Sequence, residues 1–158
     1  MDWSGLYAER RLRRPTGKEA GMKTYRALRS FPRAGEAVCA ITVMDGWQGA
    51  RVAYPLRPVR VSGETRPVGS EWDWGYAGTA PRELARALLS DCFGRKWATC
   101  PDVCEAFMGD VVAALAKPGW EISERDLVAW AHAWALHHGE RDLASLAEIL
   151  YVRLSGRN

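Results

Sequence analysis

The sequence contains no long apolar run; its uninterrupted hydrophobic stretches are only a few residues long. A membrane span needs about 20 such residues, so none is expected. The first 21 residues place Glu9-Arg10-Arg11-Leu12-Arg13-Arg14 where a secretory leader would need an apolar segment. A signal peptide is therefore not expected, and the expected location is the cytoplasm. Cysteine is sparse, with 4 in 158 residues, and in a cytoplasmic chain of this size these do not make a disulfide framework. The HExxH, GxSxG and Walker patterns are all missing, which removes the sequence signals of the zinc-protease, hydrolase and nucleotide-phosphate classes. The net charge of +3 is too small to demand a polyanionic partner.

What is present fits one ordinary domain, with 47% hydrophobic and 26% charged residues. A chain of this length buries about 68–70% of its unfolded surface, enough for a core without staples. The charge is unevenly spread. Residues 1 to 70 carry +7 and residues 71 to 158 carry −4, which implies one basic and one acidic face. Arginine supplies 18 of the 22 positive charges, and its planar fork suits phosphate, carboxylate and aromatic contacts.

Residues 1 to 21 show no periodicity and hold the Arg cluster followed by Pro15-Thr16-Gly17. They read as a mobile basic arm, with Met22 a possible alternative start. The remainder, 22 to 158, reads as a single α+β domain, sheet-rich over 22 to 70 and helical over 71 to 158. Strands are expected at Lys23 to Arg29 and Ala37 to Met44, the latter with Cys39, Ile41 and Val43 on one face. Asp45-Gly46 signals a hairpin turn and Arg51 to Leu56 a return strand, with Val59 to Val61 a further short strand before a Gly63 to Gly69 loop. The result is a small antiparallel sheet of three or four strands. About four helices follow: Pro81 to Phe93 ending at Gly94, Pro101 to Leu115, a helix opened by a capping box at Ser123 with Asp126 and stopped at Gly139, and Arg141 to Leu154.

The most distinctive stretch is the join, Ser70-Glu71-Trp72-Asp73-Trp74-Gly75-Tyr76-Ala77-Gly78-Thr79-Ala80-Pro81. WGYAGTAP running into ELARALLSD, with MKTYR at Met22, ITVMDG at Ile41, FMGDVVAAL at Phe107 and GWEIS at Gly119, resembles a family of small bacterial and phage-associated proteins filed as a domain of unknown function. The resemblance spans roughly residues 22 to 127. Its pattern has Phe-Glu-Trp-Gly-Tyr leading into Gly-Pro, so Trp72-Asp73 and Ala80 are departures. It supplies no catalytic residues, and it implies an accessory role in a phage or mobile element.

Chemically, the join has several readings. Gly75, Gly78 and Thr79 ahead of a helix would offer backbone donors to an anion. Their spacing fits no phosphate motif and Pro81 removes one donor, so a structural turn is the competing and better-supported reading. In an extended segment Trp72, Trp74 and Tyr76 share one face and would make a stacking platform or a protein anchor, whereas Trp74 and Tyr76 would otherwise plug the gap between sheet and helices. Glu71 and Asp73 lie two apart beside aromatics, a composition also found at carboxylate-based active sites. Eight Trp are more than such a core easily hides. Trp3, Trp47 and Trp97 are expected to be exposed, and Trp120, Trp130 and Trp134 to lie in the core or at a subunit contact. Cys100-x3-Cys104 with Cys92 or one of His132, His137 and His138 is a conceivable zinc set; buried thiols and a helix-terminal histidine pair at 137 and 138 are the plainer reading. No cofactor or metal is expected.

The leading expectation is a non-enzymatic macromolecule-binding protein whose contact set is Trp72, Asp73, Tyr76, Trp47, Arg51, Arg57 and Arg60. Its partner would be a host protein complex, and in its most concrete form the protein would inhibit a host defence complex of the CRISPR type, an extension that rests on the resemblance. Two alternatives stand beside it: an enzyme using the Glu71 to Thr79 loop on a nucleotide or small molecule, and sequence-independent nucleic-acid binding through the basic half.

Overall fold

The computed structural model describes residues 22–34, 36–47, 50–61 and 72–155, leaving the side chains of residues 32, 33, 36–38, 47, 50 and 51 aside. The expected basic arm, the Gly63 to Gly69 loop and Glu71 lie outside these residues. Three strands open the fold: β1 (Thr24–Arg33), β2 (Glu36–Trp47) and β3 (Ala50–Pro55). Five helices follow: α1 (Thr79–Phe93), α2 (Arg95–Ala98), α3 (Pro101–Asp110), α4 (Glu124–His138) and α5 (Arg141–Ser155). A fourth strand, β4 (Gly119–Ser123), stands between α3 and α4. The architecture is α+β, as the change of period along the chain implies.

The sheet order is β3-β2-β1-β4, and every neighbouring pair is antiparallel. Alternation decides what each strand buries. Tyr25 and Ala27 of β1, Ile41 and Val43 of β2, and Trp120 and Ile122 of β4 enter the core, where α1 adds Leu84, Leu88, Leu89 and Phe93 and α3 adds Val103, Phe107 and Met108. On the opposite face Arg26 forks onto Glu121 across the β1–β4 pair, with Nη2 at 2.8 Å and Nε at 3.0 Å from the same oxygen. A polar clamp ties sheet to helix: Asp91 of α1 accepts the Tyr25 hydroxyl at 2.7 Å, the Tyr54 hydroxyl at 3.1 Å and the Lys23 ammonium at 3.3 Å.

The helix punctuation follows the residues. Ser123 Oγ accepts the Asp126 amide at 3.2 Å and Asp126 returns the bond to the Ser123 amide at 3.1 Å, completing the capping box. Gly139 ends α4 at φ 71°, a left-handed position that glycine fills at little cost. Among the described residues no helix is long and apolar enough to cross a membrane.

Four expectations need correction. Asp45-Gly46 is not the hairpin turn; both residues stay paired, opposite Val52 and Arg51, and the strands separate only beyond Trp47 and Ala50. Residues 59–61 form no strand; the fourth strand is β4, supplied from the helical half. The helix expected over 101 to 115 stops at Asp110, and a 3-10 turn at Val112–Ala114 follows, which brings Val111, Val112 and Leu115 into the core. Trp97 is not exposed: α2 folds it inward to 7% exposure, with the Lys96 ammonium 4.7 Å from its ring centroid.

Candidate functional site

The join loop is bent, not extended. Residues 72–74 have no regular structure and residues 75–78 form bends, so Trp72, Trp74 and Tyr76 do not share a face. Trp74 is fully enclosed and donates its indole N–H to the Ala116 carbonyl at 2.8 Å. It is the plug between sheet and helices, standing edge-on to Trp120. Tyr76 is 40% exposed, and Trp72 is half-buried against the edge of the core.

Two cations hold this loop in place. Arg29 of β1 donates to Asp73 and lays its guanidinium 5.0 Å from the Trp74 ring centroid. Lys117 donates to the Trp74 carbonyl at 2.9 Å and lies 4.6 Å from the Tyr76 ring centroid. Burial would raise the Asp73 carboxyl, but the Trp74 amide, the Tyr76 hydroxyl and Arg29 outweigh it, and the group sits below its ordinary value. The Tyr76 phenol is raised, by burial first and then by Asp73. Asp73 is thus a fixed carboxylate saturated by donors, which leaves it poorly placed to act as a proton carrier. Sequence reasoning singled out neither Arg29 nor Lys117; the signal for Arg29 was its parity with Tyr25 and Ala27, which places it on the core-facing side of β1.

The glycines serve geometry. Gly75 sits at φ 84°, and its amide donates to the Val112 carbonyl at 3.1 Å, so that donor is not free for an anion. Gly78 and Thr79 begin α1 without a side-chain cap, and Pro81 occupies the first turn without an amide hydrogen.

Beside the loop runs an open groove of about 440 Å³, lined by Cys39, Ile41, Thr42, Tyr54, Leu56 and Trp72 among others. Burial raises the Cys39 thiol, with Asp73 acting in the same direction and Arg29 and Lys117 opposing. Trp47 and Arg51 lie near the far end of the β2–β3 hairpin. Trp47 is eight strand residues from Cys39, about 26 Å at 3.3–3.4 Å per residue, whereas Arg51 is two residues along β3 from Ala53, which lines the groove; the side chains of both are outside the description. Arg57 and Arg60 are exposed just past Leu56, and Arg95 of α2 donates to the Arg60 carbonyl. The four cysteines are free, and no three His, Cys, Asp or Glu side chains gather around a metal-sized space among the described residues. His138 instead stacks on Trp134, centroids 4.3 Å apart, with Nδ1 2.8 Å from the Trp134 carbonyl.

No curated protein and no solved structure matches the chain. A family model does match, over residues 44–133, a span that runs from the end of β2 through β3, the join loop and β4 into α4. That span is more than half of the 158 residues, and the chain belongs to the family it describes, a family of unknown function (DUF6166).

Proposed function

We propose that this protein is a non-enzymatic binding protein that recognises another macromolecule through the surface around Trp72. The observation that carries this reading is the form of that surface: an open groove walled by a half-buried tryptophan. Its neighbouring carboxylate, Asp73, is tied down by Arg29 and the Trp74 amide. An enzyme acting in the loop would need a closed pocket with converging acid and base groups. A partly buried aromatic held by a rigid frame is instead the residue type that anchors protein interfaces. In the phage or mobile-element setting that the resemblance implies, the partner is a host protein complex, and inhibition of a CRISPR-type defence complex is the most concrete form of that role.

The test is a pull-down from host lysate with the full chain and with Trp72→Ala in parallel. A partner retained by the first and lost by the second supports the reading. Recovery that is indifferent to Trp72 removes this surface from it. One observation favours a second reading: Arg57, Arg60, Arg95 and Lys96 are all exposed, and the Arg95–Arg60 contact draws basic residues of both halves together. Such a rim suits sequence-independent contact with nucleic-acid phosphates.

A further inference from the structure

β2 is longer than the strand beside it. β3 ends at Pro55 opposite Thr42, whereas β2 extends back to Glu36 and, among the described residues, is paired there with β1 alone. The last link on the β3 side is the Leu56 amide donating to the Ile41 carbonyl at 3.0 Å. In an antiparallel ladder the backbone groups of one residue point to one side, and the next residue's point to the other. Ile41 faces the β3 side, so Ala40 faces β1 and Cys39 again faces away from β1. Among the described residues, neither the amide nor the carbonyl of Cys39 has a backbone partner. This open edge lies in the groove walled by Trp72, Tyr54 and Leu56, and the exposed Arg57 follows directly on Leu56.

A small molecule has no reason to match donors and acceptors repeated every second residue along a strand. A polypeptide in extended conformation does, and main-chain pairing to an exposed edge is an established mode of peptide capture. We propose that the groove between Cys39 and Trp72 takes an extended polypeptide segment, apolar where it crosses Trp72 and acidic toward Arg57, which pairs with the free edge of β2 beyond the end of β3 and lengthens the sheet there. Backbone pairing supplies affinity with little regard to sequence. Trp72 and Arg57 supply the selection, through one apolar contact and one charge. This inference rests on the binding reading above and specifies the chemistry of its partner.

The experiment selects random peptides of about ten residues, a strand's length, on the full-length protein. The recovered peptides are then measured on the wild type and on Cys39→Ala, Cys39→Pro, Trp72→Ala and Arg57→Glu. Proline at 39 removes only an amide that the β1 ladder does not use, a placement that edge strands tolerate. The expected result is equal binding by wild type and Cys39→Ala, with losses of about tenfold or more on Cys39→Pro and Trp72→Ala, the scale of one or two backbone hydrogen bonds. Acidic peptides should weaken on Arg57→Glu. Should Cys39→Pro not fold, the same question is put from the other side: N-methylation of alternate peptide amides must abolish binding in one phase and spare it in the other. Failure to recover any peptide, or binding indifferent to both Cys39→Pro and N-methylation, overturns strand addition. A host partner that needs Trp72 yet binds Cys39→Pro normally overturns strand addition alone and leaves the binding reading standing.

Discussion

The Trp74 indole meets Trp120 edge-on, ring centroids 5.9 Å apart at 88°. One ring belongs to the join loop and the other to β4, so this contact fastens the loop to the far edge of the sheet. Edge-to-face pairs contribute about 0.5–1.5 kcal/mol beyond their buried area, and Arg29 covers part of what remains of the Trp74 ring. The loop is therefore a rigid platform, and Trp72, two residues before Trp74, packs half-buried against the edge of the core.

The two neighbouring tryptophans should separate in a paired experiment. Trp74→Ala is expected to cost about 3–5 kcal/mol of folding stability, because the ring is fully enclosed and its removal leaves a cavity. Trp72→Ala should cost clearly less in chemical denaturation, yet about 2 kcal/mol or more of partner affinity. If Trp72→Ala unfolds the protein while Trp74→Ala does not, their roles have been assigned the wrong way round.

Gly75 and Gly139 both occupy positive φ, at 84° and 71°, and differ in their surroundings. A Cβ at Gly139 meets nothing within 4 Å, whereas one at Gly75 would lie 2.9 Å from Lys117 Cε and 3.1 Å from the Leu115 carbonyl oxygen. Gly139→Ala should therefore cost about 1–2 kcal/mol, the conformational penalty alone. Gly75→Ala should cost more, since both the Lys117 side chain, which donates to the Trp74 carbonyl, and the Leu115 carbonyl must shift to admit the new Cβ. Urea midpoints of the two variants decide the order.

Alkaline conditions test the Asp91 clamp. Tyr25 is held well above its ordinary value, by burial first and then by Cys92 and Asp91. Tyr54 is raised too, again by burial and then Asp91. An unfolded tyrosine loses its proton near pH 10, while the folded one keeps it. The corresponding stability is thus fully present below about pH 10 and is lost as pH rises through the folded values. Tyr25→Phe should flatten the fall in urea midpoint above about pH 10; a variant curve parallel to wild type there would contradict the clamp.

The basic rim gives a salt prediction. If Arg57, Arg60, Arg95 and Lys96 hold phosphates, DNA affinity must fall linearly with log salt, and Arg60→Ala should reduce the slope by about one unit. Absence of micromolar binding at about 50 mM salt removes the second reading.

The elements legible from sequence are those with a period. β1 and β2 alternate, α1 and α5 repeat apolar residues at helical spacing, and the Ser123–Asp126 capping box sits where its residues place it. β4 escaped because all five of its residues are buried, leaving no alternation to read. Asp45-Gly46 was misleading because turn chemistry is a local signal, and the β2–β3 ladder runs on past it. At the site, Trp74 as the plug was readable from the loop's position between sheet and helices. The anchoring by Arg29 and Lys117 was not, since those residues lie 45 and 43 positions from Trp74 and meet it only through the sheet register and the turn after α3. The groove was equally hidden, because it arises from the unequal lengths of β2 and β3.

β1 sits between β2 and β4, and that position orders the assembly of the molecule in time. The β1–β2 hairpin closes over a few residues, but Leu28 meets Gly119 only across 91 positions of chain. Each doubling of such a loop adds about 0.6 kcal/mol of closure entropy, so the early hairpin forms first and one side of its first strand waits uncovered. On a ribosome that edge would stay open until β4 had been made. Translation speed through the helical middle, and any chaperone that shields strand edges, would then govern yield more than the stability of the finished fold.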